Sequence, residues 1–172
     1  MVLIVVLLIA ALVHARLRYP VTPGATSELI LVYILAGYCG VQQIALGAGI
    51  LLTGGRIMSH FGFQAGNQPI FLWVSFLLLG GGLMSMLAIW KRDSYLLAPV
   101  LMWSVFFAGA TYGHIQLNEV NGTSATWASM AKIFASHGLI SVLLIALYLV
   151  SRAYRAHRTT PSPLLSGSTS AS

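Results

Sequence analysis

Three histidines and one carboxylate are the side chains in this sequence best suited to chemistry. His60, His114 and His137, with Glu119, offer the nitrogen and oxygen donors that zinc, copper or haem iron takes. His114 precedes Asn118 by one helical turn, so these two share a face, and Ser141 follows His137 in the same way. Asn121 lies just beyond, in a polar stretch that also contains Glu119. No HxxxH, HExxH or ExxH spacing is present, so any metal or ligand site must be assembled from several segments. The plainer alternative is that each histidine bonds a loop carbonyl or water at an interface. A second polar group, Tyr38, Gln42 and Gln43, falls inside an apolar run, where polar side chains are costly and therefore candidates for function. Adjacent glutamines point about 100° apart on a helix, so the two cannot face one neighbour. Hydrogen bonding between helices is the expected role of one, with the other free to line a cavity.

These residues sit on elements of one kind. Residues 29–52, 69–90, 95–115 and 133–150 are apolar runs without an Asp, Glu, Lys or Arg. A helix crossing the hydrocarbon core needs about 20 such residues. Backbone amides in lipid find no water, so runs of this length must be helical. Residues 1–13 are also apolar but make only about 20 Å of helix. Val13-His14-Ala15 resembles a weak signal-peptidase site, yet Arg16 and Arg18 follow the run where a cleaved signal would place basic residues before it. With those arginines reaching the interface, the first helix extends through Leu17 and serves as a reversed anchor. The expected fold class is therefore all-α: an integral membrane bundle of five transmembrane helices over residues 1–158. A disordered, Ser/Thr/Pro-rich cytoplasmic tail is expected over 159–172.

Composition agrees. The chain has 172 residues, of which 58% are hydrophobic and 7% charged, far from the roughly quarter-charged composition of soluble domains. Its formal charge of +6 does not point to nucleic acid, because the basic residues stand at helix ends. Arg16, Arg18, Lys91, Arg92, Arg152, Arg155 and Arg158 fall on one side, and Arg56 and Lys132 on the other. The positive-inside rule then puts the N-terminus outside and the C-terminus in the cytoplasm of a cell inner (plasma) membrane, and the three metal-type histidines on the outer face. His14 and His157 read as surface residues among arginines. The single cysteine, Cys39, excludes an internal disulfide and any multi-cysteine metal site. Thr26-Ser27-Glu28 reads as the N-terminal cap of the second helix, and Arg56 as a partner for Glu119. Gly109-x-x-x-Gly113 has the spacing that lets helices approach closely, and packing inside the bundle is expected of it. Gly80-Gly81-Gly82 marks either a tight crossing or a kink.

The segments Gly62-Phe63-Gln64-Ala65-Gly66-Asn67-Gln68-Pro69-Ile70-Phe71 and Gly109-Ala110-Thr111-Tyr112-Gly113-His114-Ile115, with Asn121 after them, resemble an uncharacterised family of small bacterial polytopic membrane proteins. Its members carry a Gly-x-x-x-Gly-His element at the end of a helix and a loop asparagine beyond it. The helix order is similar too: a short first helix ending in arginines, then four more. The resemblance extends to about Arg152 and carries over to Gly109, Gly113, His114 and Asn121. The chain departs from it at Phe71-Leu72-Trp73, where members tend to have an acidic residue, so a proton- or metal-linked role using that acid does not transfer. The resemblance implies a fold and no activity or cofactor.

Three functions are compatible with these features. The first is a structural or accessory membrane component, surrounded by the lipid bilayer and packed in a larger membrane complex or homo-oligomer. The second is binding or transport of a lipid, quinone or apolar solute near Tyr38, Gln42, Gln43 and His114. The third is a metal- or haem-binding redox protein using the outer-face histidines His114 and His137, with His60 as a further ligand. The glycine-rich spans and the lack of a catalytic motif favour the first.

Overall fold

The computed structural model describes residues 2–18, 22–53, 56, 68–120, 131 and 133–159. These form five helices and, among the described residues, no strand: α1 (Val2–Arg18), α2 (Pro23–Thr53), α3 (Gln68–Met86), α4 (Leu97–Val120) and α5 (Leu139–Thr159). Single turns of 3-10 helix, Leu87–Ile89 and Asp93–Leu96, join α3 to α4, and a π-helical turn, Phe134–Gly138, leads into α5. Three stretches are long and apolar enough to cross a membrane: Pro23–Thr53, Pro69–Ile89 and Asp93–Gln116. The remaining two helices differ from these for physical reasons. The 17 residues of α1 reach only about 26 Å against a core of about 30 Å. In α5 the apolar run ends at Val150, and Arg152, Arg155 and Arg158 occupy the turns that follow. Apart from Thr159, the last residue of α5, the expected disordered tail lies outside the described residues.

The start of α2 corrects the cap expected at Thr26-Ser27-Glu28. The helix begins one turn earlier, with Pro23 in its first turn and Thr22 as N-cap, its hydroxyl accepting from the Ala25 amide at 3.4 Å. Proline suits that position because its missing N–H would be unpaired there anyway. Ser27 donates to the Pro23 carbonyl at 2.7 Å, and Glu28 is left to pair elsewhere.

α2 is the hub of the bundle, packing against α1, α3 and α5 and touching α4. Its middle, Ile34–Val41, is π-helical, and its last part, Gln42–Thr53, lies against α3. The α2–α3 seam is set by glycine. A Cβ at Gly47 would stand 2.8 Å from the Ser75 carbonyl oxygen, and one at Gly82 would stand 2.6 Å from Ile44 Cγ1 and 3.0 Å from the Gly40 carbonyl. At both positions a backbone carbonyl oxygen of the facing helix is among the atoms met, and backbone cannot swing aside as a side chain can. The glycine triplet is thus a tight crossing, since α3 continues through it as regular α-helix. Gly82 faces α2, while Gly81 faces Met102 and Trp103 of α4.

Polar groups inside the bundle are tied locally. Ser75 and Ser85 donate to the carbonyls of Phe71 and Gly81, one turn earlier. The fully buried Trp103 donates its indole N–H to the Ser85 hydroxyl at 2.5 Å, linking α4 to α3. His14 is not the surface residue expected: its Nδ1 lies 2.8 Å from the Tyr33 hydroxyl, joining α1 to α2.

At one end of the bundle the charges converge. Arg155 of α5 donates to the Glu28 carboxylate through Nε at 3.1 Å and through a second nitrogen, and it also pairs with Asp93. Arg92 stands 3.8 Å from the other Glu28 oxygen. Asp93 has φ 63°, in the left-handed region where Asp is among the few tolerated non-glycine residues. That turn reverses the chain between α3 and α4.

Candidate functional site

At the opposite end, α4 and α5 bring two of the three candidate histidines together. The His114 and His137 rings lie with centroids 5.3 Å apart and planes inclined at 47°. Both side chains are half-buried. Their approach follows from the seam between the two helices. On α4, Ser104, Phe107, Thr111 and His114 fall at helical spacing on one face. On the other side stand His137, Ile140, Ser141 and Leu144.

The seam is held by a reciprocal pair of hydrogen bonds. Ser104 donates to the Ser141 carbonyl at 3.2 Å, and Ser141 donates to the Ser104 carbonyl at 3.0 Å. The Ser141 hydroxyl also lies 3.3 Å from the His137 carbonyl, a turn away as the spacing predicts. The π-helical turn at His137 makes such an acceptor available, because widening the turn disturbs the regular i→i−4 ladder. Thr111 donates to the Phe107 carbonyl at 2.8 Å.

Phe107 was not singled out by sequence, and it is the residue that connects the candidates. Its ring lies 6.0 Å from His137, 5.6 Å from Tyr38 and 5.5 Å from Trp103, with which it stacks at 27°. A row of rings therefore runs from Trp103 in the core through Phe107 to the histidine pair. Tyr38 and His137 both sit in π-helical segments, so two widened turns meet on one phenylalanine. A phenylalanine in an apolar run carries no signal that distinguishes this role from ordinary packing.

Gln43 makes a different bond from the one between helices expected of one glutamine. Gln43 is buried, and its Nε2 donates at 3.4 Å to the carbonyl of Tyr38 in its own helix, not to a neighbouring helix. The bond answers the π-helical segment, whose altered ladder needs partners for its carbonyls. Gln42 is only half-buried. Tyr38, Trp103 and Phe107 are buried together in the middle of the bundle.

For Gly109 and Gly113, the described residues supply no packing partner. A Cβ at either meets nothing within 4 Å among the described residues. Leu101, Val105, Gly109 and Tyr112 form an exposed line along that side of α4.

The other candidates fall wholly or partly outside the described residues. Asn118 and Glu119 belong to the last turn of α4, but the structure describes only their backbone. His60 and Asn121 lie outside it, as does the expected pairing of Arg56 with the Glu119 side chain. Among the described residues, no third His, Cys, Asp or Glu joins the histidine pair.

A cleft of about 150 Å3 lies near the charged end, lined by Thr22, Gly24, Glu28, Ser151, Tyr154 and Arg155 among others. Arg155 is committed to Glu28 and Asp93 there, so the cleft is an ion-pair seam between α2 and α5.

No curated protein and no solved structure matches the chain. The model of DUF6790, a family of unknown function, matches residues 1–157, and the chain belongs to that family.

Proposed function

We propose that this protein is a structural or accessory component of a bacterial plasma membrane, assembling with a further membrane helix through the open side of α4. In this reading all five helices cross or enter the bilayer, with the N-terminus outside and the C-terminus cytoplasmic. The charged end supports that orientation: Arg92 and Arg155 meet there around Glu28, on the side that the positive-inside rule makes cytoplasmic.

One contrast among the glycines carries the assembly. Gly37, Gly47, Gly81 and Gly82 are each pressed against a neighbouring helix, whereas Gly109 and Gly113 keep GxxxG spacing and face open space among the described residues. Small residues at this spacing let a second helix approach closely. Inside lipid such a face has no hydrophobic reason to be covered, so packing and shape decide its use.

The test is cross-linking in native membranes from a cysteine at Gly109, with the buried Cys39 replaced by alanine. A discrete cross-linked species, lost when Gly113 is changed to leucine, supports assembly through this face. A lone monomer in membranes and in mild detergent overturns it.

A further inference from the structure

We infer that His114 and His137 form a binding site for a divalent first-row transition-metal ion, copper(II) or zinc(II). This is independent of assembly through α4.

The distance between the rings limits the kind of ligand. A metal–nitrogen bond of about 2.0–2.1 Å, with about 1.15 Å more from that nitrogen to the ring centre, puts the ion about 3.2 Å from the centre of an imidazole ring. Two such rings bound to one ion at the tetrahedral angle have centroids about 5.2 Å apart. Ligands in line across one ion stand about 6.4 Å apart, with the rings on opposite sides. The observed 5.3 Å fits the bent arrangement and not the in-line one. It is too short for axial ligation of haem iron by both rings, or for linear copper(I).

The surroundings suit an ion. The ring of His137 hydrogen-bonds to the backbone of Ile133, one turn earlier. Metal-bound histidines almost always use their second nitrogen in this way, which fixes the tautomer and the ring orientation. Phe107 lies behind the His137 ring, and the Ser104–Ser141 bonds hold the two helices in register. The rings are thus placed by their own helices before any ion arrives. With two protein ligands, water completes the coordination sphere. The Irving–Williams order then makes copper(II) bind more tightly than zinc(II).

Tag-free, full-length protein in detergent is titrated with copper(II) and, separately, with zinc(II), against a chromophoric competitor. The wild type is expected to bind one ion per chain. Affinity should fall at least about tenfold in both His114→Ala and His137→Ala and stay unchanged in His14→Ala, whose imidazole is engaged with Tyr33. His114→Asn and His137→Asn, with melting followed by tryptophan fluorescence, separate loss of a ligand from loss of fold. The copper(II) electron paramagnetic resonance spectrum should show coupling to two imidazole nitrogens, and to one in each variant. A wild type that binds no ion, or folded His114 and His137 variants that bind as the wild type does, overturns the site.

Discussion

The two ends of this bundle use ionisable side chains in opposite ways. At the charged end, Glu28, Arg92, Asp93 and Arg155 satisfy one another, joining the start of α2, the α3–α4 turn and the end of α5. At the histidine end, His114 and His137 sit side by side with no carboxylate between them among the described residues. Charge that is already neutralised stabilises a fold. Two imidazoles held side by side instead form the pair on which the proposed metal site rests. The difference teaches where to look for binding in a chain that has only three acidic residues. Two of them, Glu28 and Asp93, are engaged in holding helices together.

The contrast predicts effects that divide cleanly between stability and binding. The largest loss of stability should follow Glu28→Ala, because it leaves Arg155 and Arg92 without their shared carboxylate. The side chain of Glu28 is 12% exposed, so the cost should fall between surface and buried ion pairs, at about 2 kcal/mol. Melting in detergent checks this, and metal affinity should be untouched. Little change in melting would show that the charged end is ornamental to the fold.

Next in size is Trp103→Phe. It removes the indole bond to Ser85 and leaves that hydroxyl its own bond to Gly81, costing about 1–2 kcal/mol. Ser141→Ala should cost less, about 0.6 kcal/mol, in keeping with hydrogen bonds between membrane helices. It removes the bonds that Ser141 donates and spares the one that Ser104 donates to its backbone. Because those bonds hold the histidines in register, Ser141→Ala should weaken copper(II) by more than its small effect on melting suggests. Equal small effects on both would break the distinction between the two ends.

The smallest change is expected from Asp93→Asn. The carboxylate is 72% exposed, and asparagine tolerates φ 63° as aspartate does, so the cost should stay below about 1 kcal/mol. Comparing melting in low and high salt sharpens this, since exposed pairs are screened and buried ones much less.

Much of the fold was legible because the signal is local. Apolar runs without charge must be helical in lipid, whatever they pack against. Capping was legible in kind and misplaced by a turn: Thr22-Pro23 and Thr26-Ser27-Glu28 both carry start signals, and the pairing of Glu28 with Arg155, distant in sequence, separates them. The use of glycine was less legible. Gly109-x-x-x-Gly113 has the better-known spacing, yet the close crossings use Gly47 and Gly82, whose partners lie on another helix. Local spacing reports that a helix has a smooth side, and only the neighbour's position reports whether that side is covered. The same holds for Gln43, where a polar residue in an apolar run suggested a bond between helices. The π-helical segment beside it supplied an acceptor within α2.

Helical character, and the three stretches long and apolar enough to cross a membrane, follow from composition and order alone. Each depends on how a residue meets lipid or water, which is a property of the residue and its near neighbours. The meeting of His114 with His137, the row of rings through Phe107 and the closing of Glu28 on Arg155 were decided only by how the helices pack. Each depends on residues far apart in sequence, and rotating α5 with its leading turn by a single position about the axis would part Arg155 from Glu28 and His137 from both His114 and Phe107.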